Sequence, residues 1–218
     1  MAFKRKRVRR GKQIINKLFP ILLTKTHIAG GFARWVCSQN KTPIPASDID
    51  IFCEDLATYY EMEGILNERF TFLSENEACR VFGTGWSKIK TIQLIKPREQ
   101  HAVVTMGKIE TILENFDFTI TRAAIMTPKT VLVDEDFDKH ERKRKLVIKN
   151  IHCPISSLFR VIKYVKKGYR FSMQESLKLF LDWEQRSPEY KQEIAELLVK
   201  ENPTDEEIEH LEVLLRVD

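Results

Sequence analysis

From residue 13 to about residue 150 the apolar positions switch between helical and strand periods, and beyond Pro154 only the helical period continues. Ile14, Ile15, Leu18, Phe19, Leu22 and Leu23 predict a helix over Gln13–Leu23, kinked or divided at Pro20. Leu56–Arg69 predicts a second, with Tyr59, Tyr60, Met62, Ile65 and Leu66 available for burial, and Thr105–Asn115 a third. Ala78–Phe82 and Lys88–Ile95 read as strands joined through Gly83-Thr84-Gly85, where glycine supplies positive φ at little cost. Phe116–Ile125 reads as another strand, with Phe116, Phe118 and Ile120 opposite Asp117 and Thr119, followed by a strand at Val131-Leu132-Val133. Asp134–Lys145 reads as a solvated connection. It lacks the turn glycine and closing glutamate of a calcium loop.

Past Pro154, Leu158, Val161, Ile162 and Val165 predict the buried face of a helix ending near Gly168, with Arg160, Lys163, Lys166 and Lys167 on its solvated side. Further helix starts are signalled by Ser172 with Glu175, Ser187 before Pro188, and Thr204 with Glu207. The expectation is an α+β chain in three parts: a basic flexible tail over 1–12, a mixed-sheet domain over 13–150, and a helical region over 151–218.

One stretch carries candidate chemistry. Asp48-Ile49-Asp50-Ile51-Phe52 alternates as a strand does, so Asp48 and Asp50 share a face. Adjacent like charges repel, and a bound cation compensates them; magnesium suits carboxylate and phosphate oxygens. Upstream, Gly30 and Gly31 precede a helical segment and let backbone N–H groups approach a phosphate. Arg34, in the first turn, is placed to add a charge-assisted contact. Asp117, on the polar side of its strand, is a candidate third carboxylate or ribose contact, against the plainer reading of a surface acid.

Gly30-Gly31, the Asp48-x-Asp50 strand and their order resemble the signature of the DNA polymerase beta-like nucleotidyltransferase superfamily. GGFAR looks like the GGxxR of class II transfer RNA nucleotidyltransferases and bacterial poly(A) polymerases. DFTITRAA, Asp117–Ala124, resembles their RRDFTINALA segment, although Asn115 and Phe116 stand where that segment has two arginines. Arg160–Phe171 resembles their neck helix. The base-reading Glu-Asp-x-x-Arg motif, set against Cys153–Ser157, finds no counterpart. The resemblance implies a polymerase beta-like mixed sheet flanked by helices and a two-magnesium transfer of a nucleoside monophosphate from an NTP to an acceptor hydroxyl. It assigns metal to Asp48 and Asp50, with Asp117 as a further catalytic carboxylate. Nucleotide binding falls to Gly30, Gly31, Arg34, Asp117 and Arg122. An RNA 3′ end is the implied acceptor, lying along Arg160, Lys163, Lys166 and Lys167. A protein or small-molecule acceptor, or a non-catalytic binding module on the same fold, are the rival readings.

Charge narrows the RNA argument. The chain of 218 residues carries a net +5, but Lys4, Arg5, Lys6, Arg7, Arg9, Arg10 and Lys12 contribute seven positive charges, leaving −2 for the rest. Basicity is a property of the first twelve residues. Cys37, Cys53, Cys79 and Cys153 have no Cys-x-x-Cys spacing, which argues against a zinc knuckle or disulfide framework. With no apolar run of about 18 residues, the chain is expected to be cytoplasmic and off the membrane.

Overall fold

The computed structural model describes residues 2–97 and 104–199. Its centre is an eight-stranded mixed sheet. Strands β2 (Thr26–Ala29) and β3 (Asp48–Cys53) lie in the middle; every residue of β2 is buried, as a strand covered on both faces must be. β4 (Thr71–Glu75), β5 (Cys79–Gly83) and β6 (Thr91–Ile95) extend one side, and β7 (Ala123–Thr127), β8 (Thr130–Asp134) and β1 (Phe3–Arg7) the other, giving the order β1-β8-β7-β2-β3-β6-β5-β4. β3 and β6 are parallel, so the chain crosses over between them through helix α3 (Leu56–Arg69). Asp55 caps that helix, accepting from the Thr58 backbone N–H at 2.8 Å.

The two faces of the sheet are covered unequally. Ile28, Ile49, Ile51, Phe82 and Ile92 point to one face and pack against α1 (Lys12–Leu18), α2 (Gly31–Cys37) and α3. Pro20 falls in a short 3-10 turn after α1, dividing that helix as its sequence predicts. Ala29, Phe52, Cys79, Ile95 and Ala124 point to the other face, which α4 (Ile109–Glu114) covers only in part. Asp48 and Asp50 belong to this second, open face, four and two residues before Phe52 along β3. A third cluster, with Phe118, Ile120, Val161, Tyr164 and Leu179, joins the sheet to helices α6 (Pro154–Lys166) and α7 (Met173–Gln185); α8 (Pro188–Val199) follows. The helix expected from Thr204 lies outside the described residues.

Four expectations change. Residues 3–7, expected within a flexible tail, form β1 and pair antiparallel with β8, from Phe3 opposite Asp134 to Arg7 opposite Thr130. Alternation explains it, because Lys6 turns inward to Asp138 and over the Phe137 ring at 5.4 Å. The segment read as a solvated connection holds α5 (Phe137–Arg142), with Phe137, His140 and Glu141 buried; burial of Phe137 contributes about 1.5–3 kcal/mol. Phe116–Arg122 is a turn touching Ile148 by one bridge, and the strand begins only at Ala123. On α6 only Val161 of the expected face is buried, together with Ser156, Ser157 and Tyr164, whereas Leu158, Phe159, Ile162 and Val165 are exposed. Strand β4 and the short parallel pair β9 (Lys145–Leu146) and β10 (Arg170–Phe171) carry too little periodicity to be read beforehand.

Candidate functional site

A cavity of about 510 Å³ opens on the sparsely covered face, between the sheet and α6. Gly30, Gly31, Asp48 and Asp50 line it together. β2 and β3 cause the meeting: they pair antiparallel with Ala29 opposite Asp50, so the chain leaving β2 turns directly beneath the carboxylate. Gly30 makes that turn at φ +73° and ψ −135°, a conformation other residues rarely adopt, and its N–H donates to the Ala123 carbonyl at 2.9 Å. A Cβ on Gly30 would lie 3.3 Å from Asp50 Oδ2, whereas one on Gly31 would meet nothing within 4 Å. Both aspartates are half-buried, and Ser47 Oγ donates to Asp48 Oδ1 at 3.1 Å.

The opposite wall is α6. Arg160, Lys163 and Lys167 line the cavity across successive turns, beside Tyr164. Lys166, grouped with them by its sequence, is exposed away from it. Burial holds the Lys167 ammonium below the usual lysine range, and Lys163 pushes it the same way, while Asp48 acts in the opposite sense. Its Nζ lies 5.8 Å from the Tyr164 ring centroid, so the aromatic face offsets some of the lost hydration.

Three sequence candidates have other employment. Asp117 is buried, accepts from Ser157 Oγ at 2.8 Å and from Arg160 Nη1, and is not among the cavity-lining residues. Its carboxylate is engaged by Arg160 and Ser157. Arg122 is fully buried. It donates to the Phe116 and Glu114 carbonyls at 2.9 and 2.8 Å, stapling the turn, and takes no place in the cavity wall. Arg34 borders the cavity, but its guanidinium is committed to Tyr169 Oη at 2.9 Å, the Ile44 carbonyl at 2.9 Å and Glu141 at 3.3 Å. Burial alone would lower its pKa, and the surrounding Tyr164, Tyr169 and Glu141 reverse that.

The sequence reading missed the sheet end of the cavity. Parallel pairing places Gln93 beside Asp50, and antiparallel pairing places Val81 beside Gln93 and Ser74 beside Val81. Ser74, Asn76, Val81 and Gln93 all line the cavity. Period-2 alternation in β5 and β6 was the available signal, once the β3–β6 register is known.

The chain matches solved CCA-adding enzymes in three dimensions. The Thermotoga maritima CCA-adding enzyme, solved with tRNA, superposes with a TM-score of 0.57 at 17% identity, over 98% of this chain and 55% of that one. A CCA-adding enzyme solved with CTP gives 0.56 at 18% identity, over 98% and 55%; one solved with ATP gives 0.56 at 16%, over 94% and 52%. This chain spans about half the length of those proteins. At such identities the likeness shows the fold, a nucleotidyltransferase-type mixed sheet flanked by helices. No curated protein matches in sequence. A family model described as Gabija anti-defense 2 family protein matches residues 4–144, from β1 through α5, and stops before α6.

Proposed function

The chain belongs to the Gabija anti-defense 2 family, and we propose that it serves that role as a nucleotidyltransferase, moving a nucleoside monophosphate from an NTP to an acceptor hydroxyl. The observation that carries this reading is one cavity with two opposed walls. Asp48 and Asp50 lie on one strand above a glycine turn, and Arg160, Lys163 and Lys167 face them from α6.

The donor set fits magnesium. Among the described residues no group of three or more His, Cys, Asp or Glu gathers at one place. Magnesium is commonly held by one or two carboxylates with phosphate and water oxygens completing its shell, and Asp48 and Asp50 supply that number. There it would neutralise phosphate charge and acidify the attacking hydroxyl. The side chains do the rest. Gly30 and Gly31 leave room for a phosphate against the backbone. Lys163 and Lys167 neutralise the triphosphate, and Arg160, held by Asp117, fixes a further part of the nucleotide. Catalysis then rests on positioning and charge neutralisation.

The fold is shared with enzymes solved with CTP, ATP and tRNA, which supports a nucleotide donor and keeps an RNA 3′ hydroxyl in view as acceptor. The test is pyrophosphate release from each NTP with magnesium and a mixture of RNA and protein acceptors. Release should be lost in Asp48→Asn and Asp50→Asn while both variants stay folded by circular dichroism. No release from any NTP by the unaltered chain sinks the reading.

A further inference from the structure

The cavity is electrically lopsided. At the α6 end it carries Lys163 and Lys167, with Arg160, whose guanidinium Asp117 engages; at the sheet end its floor is Gln93, Val81 and Ser74 in one row and Ile95 and Cys79 in the next. None of these five is charged. The basic side chains nearest along the strands are already matched: Arg80 pairs with Glu63 and, at 3.2 Å, with Glu75, and Lys96 pairs with Glu75 at 2.6 Å. The basic strand β1 is no help to this end. It forms the opposite edge of the sheet, and Lys4 and Lys6 are both bonded to Asp138.

In-line displacement needs the attacking oxygen on the side of phosphorus away from the leaving pyrophosphate. A polyanionic triphosphate drawn to the α6 cations therefore leaves the sheet end to the acceptor. The 3′ end of a nucleic acid brings its own phosphates, and such ligands are held by unmatched cations. A neutral floor suits an acceptor without them. This end also opens onto β4, the sheet's outer strand, whose residues are all exposed, Leu73 to 55%. An outer strand offers unpaired backbone groups and apolar anchors to an extended polypeptide, and Ser74 of that strand borders the cavity itself.

We propose that the Gln93–Val81–Ser74 end of the cavity is the acceptor subsite and that it takes a serine, threonine or tyrosine hydroxyl on a polypeptide, a conclusion that rests on the nucleotidyltransferase reading above. The hydroxyl oxygen forms a bond to the α-phosphorus as the bond from that phosphorus to the α–β bridging oxygen breaks. Pyrophosphate leaves with the electron pair. The hydroxyl proton passes to water, leaving a phosphodiester between side chain and nucleoside.

The full chain is given each α-labelled NTP and magnesium with two probes separately: a library of uncharged peptides, each with one Ser, Thr or Tyr, and total RNA. Label is expected on peptides, resistant to ribonuclease and released by phosphodiesterase. Gln93→Arg and Leu73→Asp, both checked for folding by thermal melting, should each cut peptide labelling by about tenfold or more, since an unmatched charge placed in such a subsite disfavours a neutral ligand. Label on RNA and not on peptides overturns the proposal and leaves nucleotidyl transfer standing. Peptide labelling that both variants leave intact overturns the subsite. Absence of label and of pyrophosphate from every reaction removes the underlying reading as well.

Discussion

Arg160 on α6 donates to the buried carboxylate of Asp117, which also accepts from Ser157 at 2.8 Å. Asp117 thus acts at one remove, by fixing where a cavity-lining guanidinium points. Asp117→Asn should raise the KM for nucleotide by about tenfold, the loss of one charge-assisted bond, and leave the magnesium midpoint where it was. Steady-state kinetics with a magnesium titration decides the matter: a shifted midpoint would return Asp117 to the metal.

Two adjacent glycines should behave differently. Gly30→Ala puts a side chain on a residue at φ +73° and 3.3 Å from Asp50 Oδ2, so it should cost about 1–3 kcal/mol in urea unfolding and weaken magnesium dependence together. Gly31→Ala, with open space around its Cβ, should be close to neutral in stability. Equal costs at the two positions would contradict the turn geometry.

Glu141 accepts from Ser38 Oγ at 2.7 Å, Tyr169 Oη at 2.6 Å and Arg34 at 3.3 Å, all buried. Burial pushes the Tyr169 phenol up, so it keeps the proton it donates. Glu141→Ala leaves a buried guanidinium without its carboxylate and should destabilise the fold by about 3–5 kcal/mol. Arg34→Met in the same background should recover part of that loss, since it removes the stranded charge; a double variant no better than Glu141→Ala would count against the pairing.

Acid sensitivity should trace to two histidines. Burial holds His140 and His152 below the usual histidine value of 6.5; His140 Nδ1 is bonded to Thr119 Oγ1 and His152 Nε2 to Asn150, both at 2.9 Å. The unfolded chain binds those protons at higher pH than the folded one, so stability is full above pH 6.5 and falls as pH drops from there toward the folded values. Urea midpoints measured from pH 7.5 downward should show this slope, and His140→Gln with His152→Gln should flatten it.

The carboxylate strand was legible because alternation alone puts Asp48 and Asp50 on one face, and the glycine pair because turns leave few alternatives. Asp117, Arg122 and Arg34 have buried partners that their sequence did not announce. Sequence shows which side chains carry charge but not which have buried partners: Asp117 and Arg34 find theirs far along the chain, and Arg122 finds its own in the carbonyls of the turn just before it. Arg160 shows the reverse: grouped by its sequence with surface lysines, it is half-buried, bonded to Asp117 and part of the cavity wall. On α6 the apolar stripe was visible, but only packing tells that Val161 and Tyr164 turn inward while Leu158, Phe159, Ile162 and Val165 stay outside.

Pairing of Phe3 with Asp134 also sets a schedule for biogenesis. β1 is made before β8 and has to wait for it, which at roughly 5–20 residues per second is a delay on the order of ten seconds. During that interval Lys4, Arg5, Lys6 and Arg7 have neither Asp138 nor a neighbouring strand to pair with. Long-range closure of this kind is slow for reasons of chain entropy. The earliest of the described strands in the chain is thus the one that joins the sheet last.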